Sequence, residues 1–225
     1  MKKIVFATLI VSAMSPLPSA WADQRFAAFP VDVKMTVAAK VGETIYAGLG
    51  TAGSGWYALD MSRHPAQWEA LAPFPDQPRE NANAVAIGPV IYVFNGQGKA
   101  RPENKNLIVF DTVWKYDTVA NAWSKVSTRS PLGGLAAGAT TLDRQNILFF
   151  GGANKAIFDG YWTDHVDAAA AGKTMQSEVD ERYFKQRPQD YLFTAQVLSY
   201  NPSRNQWRNL GIDPYPATTG AAIAR

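Results

Sequence analysis

Cysteine is absent from the 225-residue sequence, and the two histidines, His64 and His165, stand far apart. A chain without cysteine forms neither disulfides nor thiolate metal sites. Two isolated histidines also lack the spacing of metal ligands. The composition therefore argues against metal chemistry and against a Cys/His or Ser/His nucleophile, and we expect no metal site.

A strong charge of one sign is missing as well. The formal net charge is +3, and Lys2 and Lys3 contribute two of these charges within a segment that we expect to be removed. A nearly neutral chain has no electrostatic reason to bind nucleic acid or an anionic membrane. The sequence therefore predicts neither partner.

The apolar run near the N-terminus is too short for a useful membrane span. Met1–Met14 has a basic start and an apolar stretch, and two prolines, Pro16 and Pro18, stand directly after it. Ala20–Ala22 supplies the small-x-small pattern of a cleavage site. We predict a signal peptide over residues 1–22, cleaved after Ala22, and no membrane attachment afterwards. The alternative, an uncleaved anchor, requires about 20 apolar residues.

Aromatic residues, glycine and proline are plentiful, with 7 Trp, 9 Tyr, 11 Phe, 17 Gly and 14 Pro spread along the chain. This mixture is typical of many short strands joined by tight turns. Gly48, Gly50 and Gly53 have the spacing of a dinucleotide-binding loop, but that loop needs a helix after the glycines. Here the strand-like run Trp56–Asp60 comes next, so we interpret the glycines as a turn between strands.

An apolar strand that ends on glycine recurs three times. The copies start 46 and 56 residues apart and are Ile45–Gly50, Ile91–Gly96 and Ile147–Gly152. A strand of small residues precedes each copy. These preceding strands are Met35–Val41, Ala82–Ile87 and Gly134–Leu142.

Each glycine-ended strand is followed by a strand that closes on Asp or Asn, and then by a turn into tryptophan. The closing strands are Trp56–Asp60, Trp114–Asp117 and Leu198–Asn201, and the tryptophans are Trp68, Trp123 and Trp207. Four antiparallel strands at this period are typical of a β-propeller blade. We expect the glycines to let the second strand pass close to the central channel and the tryptophans to fill the wedges between blades. The predicted fold is an all-β propeller.

The third unit carries an insertion at about residues 155–195. Ala168–Ala171, and then Met175, Val179 and Tyr183 at helical spacing, predict two short helices with one apolar stripe. Glu178, Asp180 and Glu181 are acidic neighbours on the second helix. We interpret them as the solvated face of that helix rather than as paired catalytic carboxylates.

The repeat resembles the kelch repeat over residues 33–225, although Gly151–Gly152 alone forms the usual glycine pair. More specifically, the chain resembles the N-acetylneuraminate epimerases, which are sialic acid mutarotases. The segments that carry this resemblance are Gly50–Tyr57, Pro78–Arg79, Gly151–Tyr161, Tyr183–Phe184 and Asp190–Tyr191.

The resemblance implies a six-bladed kelch propeller, located in the periplasm, that interconverts the α and β anomers of free sialic acid without a cofactor. Three units are present, and Thr218–Arg225 predicts the first strand of a fourth. Residues 23–225 are then the N-terminal part of such a propeller. The family's glutamate and its companion arginine are expected beyond Arg225, so we assign no catalytic residue. Half a propeller exposes blade faces and strand edges, which predicts aggregation or a need for a partner.

Some lining of a sugar site can be inferred from the topology of the predicted blades. Turns after the second and fourth strands share one face, and the family's glutamate is expected on a turn after a second strand. We therefore expect substrate contacts from Arg79, Gln97, Lys99 and Asn154. Arg79 is the best candidate for an anionic sugar, because charges at a channel mouth attract anions.

Other functions remain compatible with the sequence. A truncated or decayed propeller that only binds a partner, or has no activity, is the alternative to an isomerase. A propeller oxidase with a copper site conflicts with the missing cysteine and the isolated histidines. We expect sialic acid as the small-molecule partner. The sequence leaves open whether the protein forms a homodimer.

Overall fold

The computed structural model of the chain describes residues 26–186, 193–215 and 217–220. The predicted signal peptide, Asp190–Tyr191 and residues 221–225 lie outside these ranges. The described residues contain fifteen strands. They are β1 (Val37–Val41), β2 (Thr44–Gly48), β3 (Trp56–Asp60), β4 (Trp68–Ala70), β5 (Glu80–Ile87), β6 (Val90–Gly98), β7 (Ile108–Val109), β8 (Thr112–Asp117), β9 (Ala122–Arg129), β10 (Gly133–Leu135), β11 (Gly138–Thr140), β12 (Ile147–Phe150), β13 (Ala153–Asn154), β14 (Gln196–Asn201) and β15 (Gln206–Ile212).

The strands form three antiparallel blades, which confirms the predicted propeller fold. The blades have the strand orders β1-β2-β3-β4, β5-β6-β8-β9 and β11-β12-β14-β15. Each blade is therefore an up-and-down meander in which neighbours in sequence are neighbours in space. Two short additions extend the ends of the blades, since β7 pairs with β6 and β10 pairs with β13.

Tryptophans at the start of the fourth strands join neighbouring segments. The indole Nε1 of Trp123 donates to the carbonyl of Ala72 in the first unit at 2.9 Å, and that of Trp207 donates to Thr128 Oγ1 in the second blade at 3.1 Å. Trp68 makes the same kind of bond to the carbonyl of Ala27 at 3.2 Å. The polar atom of each tryptophan is thus satisfied while its ring fills the junction.

Aromatic side chains pack the two junctions between blades. Trp56 lies edge-on to Tyr116 and Trp123 at the first junction, with centroid distances of 5.8 and 5.3 Å. Phe94 packs against Phe149 at the second junction, with a centroid distance of 4.8 Å. Trp56 and Phe94 are almost completely buried. Burial of one such side chain contributes about 1.5–3 kcal/mol, so these rings help to hold neighbouring blades together.

A chain of backbone hydrogen bonds joins the first strands of successive units. The amide of Asn81 donates to the carbonyl of Met35, that of Ala136 to Asn81, and that of Gly220 to Ala136, at 3.0, 3.1 and 2.8 Å. All four residues have a positive φ, between 52° and 69°. The left-handed backbone is therefore a repeated feature of the place where each unit begins.

Ala136 is strained in this conformation, because a Cβ disfavours the left-handed region by about 1–2 kcal/mol. We expect Ala136→Gly to raise the free energy of unfolding by about 1 kcal/mol, measured by urea denaturation. Ala139→Gly in β11 is the control, and we expect it to lower stability by about 0.5–1 kcal/mol. Destabilisation by both variants would show that packing of the Ala136 methyl group outweighs its strain.

The turns between the third and fourth strands are closed by the Asp or Asn that ends the third strand. Asp117 Oδ1 accepts from the amides of Val119 and Ala120, at 2.9 and 3.0 Å. The preceding Tyr116 hydroxyl donates to Asn121 Oδ1 at 2.7 Å, and Tyr200 repeats this bond to Asn205 at 2.9 Å in the third blade. The Tyr-Asp or Tyr-Asn pair thus fixes the turn through both of its side chains.

We expect the protein to lose stability at high pH, because the hydroxyl groups of Tyr116 and Tyr200 must then ionise. Burial raises the pKa of Tyr116 and Tyr200 to about 12, whereas an unfolded tyrosine has a pKa of about 10. Because the two phenols hold their protons more tightly in the folded state, they contribute their full stabilisation below about pH 10. This contribution is lost as the pH rises through about 12. We expect a late phenolate transition in absorbance, coincident with loss of the circular dichroism of the sheets. Ionisation of every tyrosine near a pH of about 10 with the sheets intact would contradict this.

The insertion forms two helices, α1 (Lys155–Ala171) and α2 (Lys173–Phe184), which pack as a hairpin. The first helix is longer than the short helix expected. Of the predicted apolar stripe on α2, Val179 is buried, Tyr183 is half-buried and Met175 is exposed. Asp180 is not merely a solvated charge, because it lies between the helices and accepts a bond from the Tyr161 hydroxyl at 3.1 Å.

Candidate functional site

Turns after the second and fourth strands lie at one end of the blades, as the meander topology requires. The backbone contacts show which positions correspond. The amide of Gly50 bonds to the carbonyl of Arg79 at 2.9 Å, and the amide of Gly152 bonds to that of Thr218 at 2.7 Å. Arg79 and Thr218 thus occupy equivalent places, each two residues before a left-handed residue that begins a unit. This end of the blades is the candidate site.

Arg79, the expected contact for an anionic sugar, is completely buried. Its Nη2 donates to Asp76 at 2.7 Å, and its Nη1 donates to the Asn95 carbonyl and to Thr112 Oγ1 at 3.2 and 3.1 Å. Its Nε donates to the carbonyl of Gln77 at 3.4 Å. Four of the five guanidinium hydrogens therefore have acceptors inside the protein.

Two aromatic rings enclose the same guanidinium. The Cζ atom of Arg79 lies 4.8 Å from the ring centroid of Phe74 and 4.5 Å from that of Phe110. Burial lowers the pKa of Arg79 to about 10, against the opposing effect of Asp76, so the group remains a cation at neutral pH. In this arrangement the charge ties together the turn before β5, the end of β6 and the start of β8. Its role as a sugar contact stays a prediction.

The other three predicted contacts occupy different settings. Gln97 is half-buried near the end of β6, directly opposite Glu80 on β5, and Lys99 follows it as an exposed side chain. Asn154 lies in the third unit, where its side chain accepts from the amide of Ala156 at 2.9 Å and caps α1. The structure therefore brings Arg79, Gln97 and Lys99 to one end of the second blade and gives Asn154 a local role.

Glu80 is a neighbour of these residues that the sequence reasoning missed. It directly follows Arg79 and shares the end of the second blade with Gln97. Glu80 becomes evident when the units are aligned on the residues with positive φ at which each unit begins, instead of on the glycine-ended strands. Among the described residues, no cluster of three or more His, Asp or Glu side chains could hold a metal ion.

The insertion is attached to the second blade through a side-chain clamp. Asp159 Oδ1 on α1 accepts from the amide of Val109 at 2.7 Å, and Lys155 Nζ donates to the carbonyl of Val109. Lys155 and Asp159 also form an ion pair with each other. Both backbone groups of the buried Val109 are thus satisfied by one turn of helix, as a neighbouring strand would satisfy them.

Removing one half of this clamp leaves a buried amide without a partner. We expect Asp159→Ala to lower the free energy of unfolding by about 1–3 kcal/mol and to speed hydrogen exchange at the Val109 amide. Asp167→Ala is the matched control, because Asp167 is exposed on the same helix. Unchanged protection of the Val109 amide would refute the clamp.

The described helices include none that is both long and apolar enough to cross a membrane. This finding concerns the described residues, and the predicted signal peptide lies outside them.

Comparison with known proteins agrees with the architecture of the blades. The family model described as N-acetylneuraminate epimerase matches residues 26–225. A solved structure titled "Structure of YjhT" superposes with a TM-score of 0.79 at 35% identity, and the match covers 87% of this chain and 56% of that one.

Curated relatives match along nearly the whole sequence. An N-acetylneuraminate epimerase of Yersinia pestis (strain Pestoides F) is 39% identical over 224 residues, which is 100% of this chain and 57% of the relative. Those of Vibrio cholerae and Haemophilus influenzae are also 39% identical, over 97% of this chain and 57% and 55% of their own lengths. The chain thus spans about half the length of the curated relatives it matches. It belongs to the N-acetylneuraminate epimerase family.

Proposed function

We propose that this protein interconverts the α and β anomers of free N-acetylneuraminate. The observation that carries the proposal is the match of the family model across residues 26–225, supported by blades whose turns converge at one end. We further propose that it acts in the periplasm after removal of residues 1–22, and that two copies assemble in the active protein.

The chemistry consists of proton transfers around one carbon of the sugar. A base takes the proton of the anomeric hydroxyl while an acid protonates the ring oxygen, and the bond between the anomeric carbon and that oxygen breaks. Rotation of the open-chain ketone and reversal of the same steps give the other anomer. No atom is gained or lost, and a carboxylate suits the role of base. We assign neither the acid nor the base to a residue of this chain.

Recognition of the substrate needs groups that complement a sugar carboxylate and several hydroxyls. A cation can bind the carboxylate, and uncharged amides can exchange hydrogen bonds with hydroxyls. Gln97 and Lys99 supply both kinds of group at the end of the second blade. We retain these two residues as proposed contacts, and Arg79 and Asn154 as proposed contacts that would have to give up bonds within the protein.

A binding module without activity is the second candidate. The observation that favours it is that Gln97 and Lys99 offer binding groups at this end of the blades, whereas no acid or base is assigned among the described residues. Such a module would bind the sugar acid at the same end of the blades and leave the rate of anomer exchange unchanged.

A rate measurement separates the two candidates. Crystals of one anomer of N-acetylneuraminate are dissolved with or without the protein, and the approach to anomeric equilibrium is followed by proton NMR or polarimetry. We expect the protein to shorten this approach and heat-denatured protein to leave it unchanged. Binding without acceleration would favour the module, and absence of both binding and acceleration would contradict both candidates.

A further inference from the structure

Three equivalent pairs of residues lie at the candidate site, one pair in each unit. In the second unit Glu80 is opposite Gln97, and in the third Leu135 is opposite Ala153. In the first unit Lys34 pairs with Thr51, since the Thr51 amide donates to the Lys34 carbonyl at 3.1 Å and the Lys34 amide donates to Thr51 Oγ1 at 2.8 Å. The first member of each pair directly precedes a left-handed residue, namely Met35, Asn81 and Ala136.

The three pairs differ in burial and in chemistry. Leu135 and Ala153 are buried in an apolar cluster with Val109 and with Phe158 of α1. No such cluster covers the equivalent pairs of the first and second units within the described part of the chain: Lys34 and Thr51 are exposed, and Glu80 and Gln97 are half-buried. The insertion thus covers one pair and leaves two polar pairs accessible.

Backbone bonds hold these two polar pairs next to each other. The amide of Gly50 reaches the carbonyl of Arg79, and the amide of Asn81 reaches the carbonyl of Met35. Lys34 and Glu80 are therefore neighbours across the junction of the first two units. Within the described residues, the Lys34 ammonium and the Glu80 carboxylate form no ion pair. Their charged groups also neither donate nor accept a hydrogen bond there.

Uncommitted charges of opposite sign at neighbouring backbone positions suit a ligand that carries both an anion and hydroxyl donors. Arg79 in the same region directs its donors to the protein, whereas the Lys34 ammonium has no partner among the described residues. We propose that Lys34 binds the carboxylate of the sugar acid, and that Glu80, with Gln97, accepts hydrogen bonds from its hydroxyl or amide groups. This inference rests on the proposed function and adds the residues that recognise its substrate.

The chemistry of the two residues gives them different signatures. An ammonium that binds the carboxylate discriminates between a sugar acid and a neutral sugar, whereas a carboxylate that accepts from hydroxyls acts on both. Loss of one charge-assisted hydrogen bond corresponds to roughly a tenfold change in the dissociation constant. Lys34→Gln should therefore weaken binding of N-acetylneuraminate more than binding of the neutral N-acetylmannosamine, and Glu80→Gln should weaken binding of both.

The test compares binding of N-acetylneuraminate and N-acetylmannosamine to the full chain by calorimetry or ligand-observed NMR. Lys40→Gln and Glu43→Gln are matched controls, because these exposed residues lie at the turn from β1 to β2 and pair only weakly, at 3.5 Å. They carry the same charge changes at the opposite end of the first blade. Urea unfolding of all variants shows whether each one folds like the parent.

We expect about a tenfold loss of N-acetylneuraminate affinity in each site variant and a change of less than about twofold in each control. Parent affinity in both site variants, with the parent binding normally, overturns this inference and leaves the proposed function standing. Failure of the parent itself to bind N-acetylneuraminate overturns the proposed function, and this inference with it. Equal losses in site and control variants also overturn it, because a general charge effect would then explain them.

Discussion

Gly50→Ala is expected to lower the free energy of unfolding by at least about 3 kcal/mol. Gly50 has a φ of 60°, and a Cβ built there would lie 2.2 Å from the carbonyl oxygen of Lys34 and 2.7 Å from the carbonyl carbon of Met35. Both obstacles are backbone atoms, which cannot rotate away as a flexible side chain can. Relief of the clash requires a backbone shift, which would disturb the bond from the Gly50 amide to the Arg79 carbonyl at the junction of the first two units.

Gly53→Ala is the matched control, three residues away in the same turn. Gly53 also has a positive φ, of 66°, but a Cβ there would have no atom within 4 Å. We expect this variant to lose only about 1–2 kcal/mol from the left-handed backbone. Urea unfolding monitored by tryptophan fluorescence measures both variants. Equal losses would mean that backbone strain, and not the close approach of Lys34 and Met35, explains the glycine at position 50.

Arg79→Ala is expected to lower the free energy of unfolding by about 3–5 kcal/mol, as removal of one partner of a buried ion pair does. The substitution leaves Asp76 with a single side-chain donor, the indole of Trp114 at 3.0 Å. It also leaves the Asn95 carbonyl without the guanidinium and opens a cavity between Phe74 and Phe110. Arg79→Lys keeps the charge and loses the forked geometry, so we expect an intermediate loss.

Arg129→Ala provides the control for the loss of an arginine in the same blade. Arg129 pairs with Asp111 at 2.7 Å, but its side chain is 69% exposed, so the expected loss is less than about 1 kcal/mol. Thermal and urea unfolding, together with N-acetylneuraminate binding, give the readouts. A fully stable Arg79→Ala variant that no longer binds the sugar would contradict the buried role and support the sugar contact predicted from the sequence.

Strand order and blade type were predictable because their signals are local. Trp56–Asp60 was predicted as a strand and is one, with the same bounds. The aromatic alternation, the terminal Asp and the glycine turn all lie within a few residues of each other, and the repeat supplies them three times. Two features were not predicted from the sequence. β7 is a strand of two residues, which is too short to carry a pattern. β6 continues past its glycine to Gly98, because that end gains β7 as a partner.

The helical insertion was predicted in kind but not in detail. The alanine run Ala168–Ala171 marks only the last turn of α1, which begins at Lys155. Its first turn has little helical pattern of its own and is stabilised by the Asn154 cap and by contacts with Val109. Asp180 resembled a solvated charge because its partner Tyr161 is 19 residues away.

The candidate site shows where prediction from sequence stops. The sequence placed Arg79 in a turn at the correct end of a blade, and on that basis it looked like an exposed cation. Its acceptors Asn95 and Thr112 are 16 and 33 residues away, so no local pattern could show that the guanidinium is buried. The same reasoning applies to Glu80, which sits beside Arg79 in sequence and yet keeps its carboxylate uncommitted.

Local patterns of glycine, tyrosine and tryptophan were thus sufficient for the repeat, the blades and the family resemblance, because hydrogen-bonded meanders form between sequence neighbours. The difference between buried and accessible charged side chains arose from contacts between residues that are far apart in the sequence. Burial depends on which distant segments cover a side chain, and the sequence around a turn residue does not indicate which segments these are. For this reason the positions of the blades could be derived from the chain, whereas the difference between Arg79 and Lys34 required the folded protein.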